Sequence, residues 1–530
     1  MEVYDLIVVG SGFGGAMAAL PAVRAGKRVL MIERGDRVPR GAESWGPNGF
    51  FTLTSAYSAE TPYTTADEAT RHDGDELGLI ECVGGASVFY GGVALRLRER
   101  DFEPDPDLDG DSGTEWPYTY NDLEPYYTHA EQLLGVAGLE GEDPTEPRRS
   151  APYPQQSAPL SPISQRMADV ARRLGLRPFS LPLAINYDAS VRSETCVACG
   201  TCDGFACAVH AKNDIATTLI PLLERGGMTL VPGTVVVRLE TSGNRISEVV
   251  GVDRRTLESR RWRGRAVIVA AGALATPHLL LASDLQRRSP AGDAIGRYLM
   301  RHCNAVVMGV FPRRPAPNGE FHKQIGIQDY YYGHPSITEP HGKLGCIQQF
   351  GTPQTSYMVR HATSWIEKRY RGAQRTIALS VAPWFVPLGS PHTTGFIVIA
   401  EDQPRAQNRV TLGGGRNRFG MPGAMIAHQY HPRDLAARNA LASVADRLLH
   451  NAGSVRNFRD DINTFSHAVG TVRIGRDASR APLDGWGAFR GLDNLYVTDG
   501  SILPRSGGVN PSLTIAAHAL RAGEAIAAAL

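Results

Sequence analysis

The sequence has no uninterrupted apolar run long enough to cross a membrane. Residues 266–283 carry no charge, but Gly272, Pro277 and His278 interrupt them. A spanning helix needs about 20 consecutive apolar residues, so this stretch instead predicts a strand, a turn and a helix. No basic region precedes the apolar residues that start at position 3. We therefore expect no signal peptide, and a cytoplasmic protein.

The sequence also lacks an excess of charge of either sign. Lysine and arginine total 55, aspartate and glutamate total 54, and no block of like charge stands out. Binding to nucleic acid or to an anionic membrane relies on clustered positive charge, so neither is an expected partner. Hydrophobic residues make up 42% of the chain and charged residues 21%, which is typical of a soluble globular protein.

Cysteine is scarce, with seven in 530 residues, as is usual in a reducing compartment. Four of the seven nevertheless lie together, as Cys196, Cys199, Cys202 and Cys207. Their C-x2-C-x2-C-x4-C spacing is close to that of iron–sulfur ligands, and it also suits structural zinc or a pair of disulfides. A stiffened loop of free or paired cysteines is the remaining interpretation.

Glycine is most informative near the start of the chain. Residues 4–9 predict a buried strand, and Gly10, Gly12 and Gly15 follow in GxGxxG spacing, before a helix and a second strand that ends at Glu33. The three glycines permit a tight turn, a close approach of the backbone to a pyrophosphate, and close helix–strand packing. An acid at position 33 can accept hydrogen bonds from ribose hydroxyls. The pattern predicts a bound dinucleotide.

The remaining segments predict an α/β chain with two kinds of sheet. Strand and glycine-loop patterns recur at both ends, whereas the middle is aromatic and rich in β-type residues. We expect a discontinuous Rossmann-like cofactor-binding domain with an inserted α+β substrate domain built on an antiparallel sheet. The predicted limits are 1–100, 190–300 and 460–530 for the cofactor domain, and 101–189 and 301–459 for the substrate domain.

Several further segments, in the right order along nearly the whole chain, resemble the glucose–methanol–choline (GMC) oxidoreductase family. They are residues 84–92, 271–283, 408–412, 466–471, 497–504 and 510–514. The resemblance implies FAD as the cofactor. The residues it assigns to FAD, beside those of the first motif, are Gly84, Gly85, Ser87, Val236, Ala271, Gly272, Asp499, Gly500, Asn510, Pro511 and Thr514. Some members of the family also carry a metal cluster at a similar cysteine segment.

The family's covalent attachment of FAD uses a histidine in the second glycine-rich loop. No histidine lies between residues 73 and 127, so we predict a non-covalent flavin. The resemblance also implies two catalytic residues. His467 stands at the position of the base, and a histidine suits that role because its free pKa is about 6.5. Asn510 stands at the partner position, where an amide holds the substrate oxygen.

The predicted activity is oxidation of an alcohol to a carbonyl by hydride transfer to flavin N5. We expect a sugar, a polyol or a glycosidic secondary metabolite such as an aminoglycoside as the substrate. A sterol or long-chain alcohol oxidase is the alternative, because the second loop resembles the sterol-oxidase version. A non-redox lyase that keeps FAD as structure, or an electron-transfer subunit, is a further alternative. Oxygen and an external acceptor both stay open.

Overall fold

The structure is a computed structural model, and it describes residues 3–45, 63–65, 71–72, 79–113, 115–352 and 355–530. Its strands are β1 (Val3–Val9), β2 (Val29–Ile32), β3 (Tyr63–Thr65), β4 (Arg71–His72), β5 (Ala137–Gly138), β6 (Gln155–Gln156), β7 (Phe179–Ser180), β8 (Thr229–Val231), β9 (Thr234–Ser242), β10 (Arg245–Asp253), β11 (Ser259–Val269), β12 (Cys303–Val310), β13 (Ile325–Ile327), β14 (Gly345–Phe350), β15 (Thr393–Ala400), β16 (Arg409–Arg416), β17 (Pro422–Ala427), β18 (Arg456–Asp461) and β19 (Leu495–Val497). Its α-helices are α1 (Phe13–Arg24), α2 (Tyr120–Leu133), α3 (Pro162–Arg173), α4 (Leu219–Arg225), α5 (Ala275–Ala282), α6 (Thr355–Arg369), α7 (Gly372–Gly389), α8 (Pro432–Asn451) and α9 (Ser512–Ala529).

The first sheet has the strand order β8-β2-β1-β11-β10-β9, and β19 pairs with the end of β11. The pairs around β1 are parallel, whereas β9, β10 and the first half of β11 pair antiparallel. Leu6 to Val9 are buried, as expected for a parallel strand covered on both faces. Helices α1 and α9 pack together closely, because a Cβ at Gly523 would lie 2.5 Å from the carbonyl oxygen of Ala18.

The second sheet is antiparallel, in the order β18-β12-β15-β14-β13-β7. Helix α8 covers it, and Phe396 and Val398 of β15 share a buried core with Leu441 of the helix. Helix α8 begins sharply because His431 caps the backbone amide of Arg433, Pro432 occupies the first turn, and Asp434 completes the capping box.

The two sheets confirm the predicted fold class of a discontinuous Rossmann-like domain with an inserted antiparallel α+β domain. The residue limits of the two domains stay a prediction. A third sheet, in the order β16-β17-β3-β4, pairs an early segment of the chain with a late one. In the ranges that the structure describes, no helix is both long enough and apolar enough to cross a membrane.

Candidate active site

A cavity of about 500 Å³ opens where β1, β2 and β11 end. Ligands of α/β sheets bind at the carboxyl ends of the parallel strands, and this cavity has that position. One wall comes from the turns after those strands. The opposite wall comes from Gln348 of β14 and Ile397 of β15 in the antiparallel sheet, and from Lys323, which precedes β13.

The turn between β1 and α1 has the geometry of a phosphate site. Gly10 has φ +100°, and a Cβ there would lie 2.3 Å from the carbonyl oxygen of Ala270. A Cβ at Gly15 would lie 2.0 Å from the carbonyl oxygen of Gly10, so helix and strand pack closely. A Cβ at Gly12 would meet no described residue within 4 Å and would enter the cavity. The amino end of α1 is therefore open to an anion.

Ser11 joins the first motif to the second glycine-rich loop. Its hydroxyl donates to the Glu33 carboxylate over 2.6 Å and accepts from the Gly84 amide over 2.9 Å. Glu33 also accepts from the amides of Ser11 and Gly35, each over 2.9 Å. Burial raises the pKa of Glu33. The two loops thus form one continuous wall.

A third polar anchor lies at Asp499. Its carboxylate accepts from the Gly272 amide over 2.8 Å, from the Ser501 amide over 2.8 Å and from the Thr276 hydroxyl. Gly272 has φ +90°, and no atom lies within 4 Å of the Cβ position. The segment after β19 is thereby tied to the turn after β11, and the backbone of that turn is exposed to the cavity.

Most residues that the sequence assigned to the site line this cavity. They are Gly10, Gly12, Glu33, Gly85, Val236, Ala271, Gly272, His467, Asp499, Gly500, Asn510 and Pro511. Gly15, Gly84, Ser87 and Thr514 do not, although each adjoins the wall. The Ser87 hydroxyl donates to the Gly84 carbonyl and accepts from the Ile215 amide. The Thr514 hydroxyl shares a 2.8 Å hydrogen bond with the Tyr127 hydroxyl.

Within the described ranges, His467 and Asn510 each have one polar partner at their end of the cavity. His467 Nδ1 lies 3.0 Å from His302 Nδ1. Burial, with His302 and Lys323 nearby, lowers the pKa of His467 to about 3, so its ring is neutral at working pH. The Gln348 amide donates to Asn510 Oδ1 over 2.7 Å. The Asn510 NH₂ group is then the part of its amide that can donate to a ligand.

Family models for GMC oxidoreductases match residues 79–304 and 404–519, and a model for an FAD binding domain matches residues 5–73. The chain is 32% identical to 6'''-hydroxyparomomycin C oxidase from Streptomyces lividus over 100% of this chain and 92% of that protein. The chain belongs to the GMC oxidoreductase family.

A second relative and a solved structure are also similar to the chain. The chain is 31% identical to paromamine 6'-oxidase from Streptomyces fradiae, over 99% of this chain and 92% of that protein. The fold matches pyridoxine 4-oxidase from Mesorbium loti with a TM-score of 0.68 and 17% identity, over 98% and 99% of the two chains. This GMC oxidoreductase is an FAD-dependent enzyme that oxidises alcohols, as the sequence predicted.

The iron–sulfur prediction for this GMC oxidoreductase is not supported. Among the described residues, no group of three or more histidine, cysteine or acidic side chains could hold a metal ion. All seven cysteines are unpaired, so the four clustered ones form no disulfide either.

Sequence reasoning missed four polar residues of the site. His302 contacts His467 and Gln348 contacts Asn510, across 165 and 162 positions of the chain. Lys323 donates to Asp203 over 2.7 Å, and both line the cavity. This ion pair packs directly on the second loop, since a Cβ at Gly91 would lie 1.8 Å from an Asp203 oxygen. No local pattern marks these residues.

Proposed function

We propose that this GMC oxidoreductase oxidises a hydroxyl group of an aminoglycoside or a related amino sugar to a carbonyl. Two relatives that are similar over 92% of their own length are named as oxidases of paromamine and of a hydroxyparomomycin. The observation that carries the chemistry is the pair His467 and Asn510 in the wall of one cavity that also holds the glycine turn. The same wall carries the Asp203–Lys323 ion pair, which offers both an accepting and a donating group to a polar substrate.

In alcohol oxidation, different side chains accept the proton and stabilise the substrate oxygen. His467 accepts the hydroxyl proton. Burial keeps its ring neutral, so a lone pair is available for that proton, while the lowered pKa makes the ring a weaker base than the free histidine on which the sequence prediction rested. The Asn510 NH₂ group donates to the substrate oxygen as negative charge builds there, and Gln348 holds that amide in place. FAD, when bound, supplies the hydride acceptor. The protein's part is to hold the alcohol and remove its proton.

The chain fits FAD without a covalent bond. The amino end of α1 with Gly12 would hold the pyrophosphate, and Glu33 would accept from the ribose. The second loop supplies glycine, alanine, phenylalanine and tyrosine to the wall and no histidine. We expect acid precipitation of the purified holoenzyme to release all yellow colour into the supernatant. Colour retained in the pellet would show a covalent flavin.

The test of the activity is anaerobic loss of the flavin's visible absorbance. The holoenzyme is mixed with paromamine, neutral sugars, sterols or fatty alcohols, and we expect bleaching by paromamine or another amino sugar. Bleaching by sterols or fatty alcohols instead would establish the alternative substrate class. No bleaching by any alcohol would favour a non-redox role. Air admitted to the bleached enzyme distinguishes an oxidase, which regains its colour at once, from a dehydrogenase.

The matched control is His467→Ala, which retains the cavity but lacks the base. We expect this variant to bind FAD as the wild type does and to bleach at least about 100-fold more slowly. Full bleaching rates in this variant would rule out His467 as the base, whatever the substrate.

A further inference from the structure

His302 is placed by its backbone as well as by its ring. It precedes β12 with φ +58°, in the left-handed region that residues other than glycine rarely adopt. The Asp402 carboxylate accepts from the backbone amides of Arg301 and His302, over 2.8 and 3.1 Å. The Tyr430 hydroxyl donates to the His302 carbonyl over 2.8 Å. Such a conformation persists only where the surroundings hold it.

The ring of His302 is bonded at both nitrogens. Its Nε2 lies 3.1 Å from the carbonyl oxygen of Ser506, and its Nδ1 lies 3.0 Å from His467 Nδ1. Asp402 also accepts from the Ser506 hydroxyl over 2.8 Å. The Asp402 carboxylate therefore holds both His302 and Ser506, the residue whose carbonyl meets His302 Nε2.

The positions of the ring protons follow from these contacts. A carbonyl oxygen can only accept, so His302 Nε2 carries a proton. A neutral imidazole has one N–H, and burial lowers the pKa values of both His302 and His467, so His302 Nδ1 is an acceptor. His467 Nδ1 must then carry the proton that lies between the two rings. His467 Nε2 is left with its lone pair, on a ring that lines the cavity.

We propose that His302 is a positioning residue that holds His467 in the tautomer protonated at Nδ1, so that Nε2 is the atom that accepts the substrate proton. The proposal rests on His467 being the base. In the other tautomer Nε2 already carries a proton and cannot accept one. Orientation of a catalytic histidine through its second nitrogen is a general requirement, since a base in the wrong tautomer loses several orders of magnitude in rate.

The test compares His302→Asn with His302→Leu in the holoenzyme, with paromamine as the alcohol. The asparagine oxygen can replace His302 Nδ1 as the acceptor, whereas leucine fills the space without an acceptor. We expect kcat to fall at least about 100-fold in His302→Leu and less than about 10-fold in His302→Asn. FAD content and KM are expected to change little in either. Equal activity in the two variants would overturn the proposal.

A second measurement needs no variant of His302 and no substrate. The ¹⁵N shifts of His467 in the histidine-labelled holoenzyme, assigned by difference from His467→Asn, report which nitrogen carries the proton. We expect a protonated Nδ1 and an unprotonated Nε2, and the reverse would overturn the proposal. If no alcohol bleaches the wild type while these shifts are as expected, the proposed function fails and the tautomer assignment stands.

Discussion

At the scale of single residues, Gln348 decides which end of the Asn510 amide can meet a substrate. An amide has one accepting oxygen and one donating NH₂ group. Gln348 occupies the oxygen of Asn510 over 2.7 Å. A hydroxyl oxygen that becomes negative needs a donor. In the proposed reaction, the hydrogen bond from Gln348 therefore turns the donating NH₂ group of Asn510 towards the substrate.

Gln348→Leu removes this hydrogen bond and leaves the Asn510 amide free to rotate. We expect kcat/KM for the best alcohol to fall about 10-fold, which corresponds to about 1.4 kcal/mol. FAD binding is expected to be unchanged. Gln349→Leu is the matched control, because Gln349 contacts Ser164 and the Gln324 amide instead. That variant is expected to lower stability and to retain kcat/KM, and the reverse pattern would contradict the assignment.

At the scale of the element, the turn between β1 and α1 contains two glycines that serve different needs. A side chain at Gly10 would collide with the backbone that follows β11, and the φ of +100° would add strain. A methyl group at Gly12 would project into the cavity and would touch none of the residues that the structure describes. We therefore expect folding to depend on the first glycine and cofactor binding to depend on the second.

The two alanine variants should therefore fail in different ways. We expect Gly12→Ala to leave the melting temperature of the FAD-free protein unchanged and to weaken FAD binding by at least about 10-fold, because the methyl group occupies the approach to the pyrophosphate. Gly10→Ala is expected to lower the melting temperature of the FAD-free protein itself. Calorimetry and flavin fluorescence measure the two properties. Equal FAD affinity in Gly12→Ala and the wild type would contradict the proposed pyrophosphate position.

At the scale of the whole molecule, buried histidines make stability depend on pH. Burial lowers the pKa values of His467 and His518 to about 3 and that of His278 to about 4. In the unfolded chain a histidine has a pKa of about 6.5. Below that pH the unfolded chain takes up protons that the folded protein does not. The free energy of unfolding therefore falls as the pH falls from about 6.5 towards these lowered values.

In that window each such histidine lowers the free energy of unfolding by about 1.4 kcal/mol for every pH unit of acidification. Above a pH of about 6.5 it adds no dependence on pH. His518 is the best test, because it lies in α9, away from the cavity, and contacts the Tyr118 hydroxyl over 2.9 Å. We expect His518→Phe to unfold in urea with a shallower loss of stability between pH 6 and 5 than the wild type. If the free energy of unfolding depends on pH equally in the two proteins, His518 takes up its proton as readily in the folded protein as in the unfolded chain.

The sequence by itself determined the fold class and most of the cavity wall. Strand and helix follow from local periodicity, and Gly10, Gly12 and Glu33 lie in one short strand–helix–strand segment that suits a dinucleotide. The family resemblance along the chain placed His467 and Asn510, and both line the cavity. Signals of this kind are local, because each depends on neighbours within about one supersecondary unit.

The tertiary structure alone decided which atoms meet. His302 and His467, Gln348 and Asn510, and Asp203 and Lys323 are brought together from distant positions of the chain. It also decided that Ser87 and Thr514 form hydrogen bonds with Gly84 and Tyr127 and do not line the cavity. Among the described residues, the four clustered cysteines do not form a group that could hold a metal ion. Side-chain orientation depends on packing between elements, and a linear pattern of residues does not record that packing.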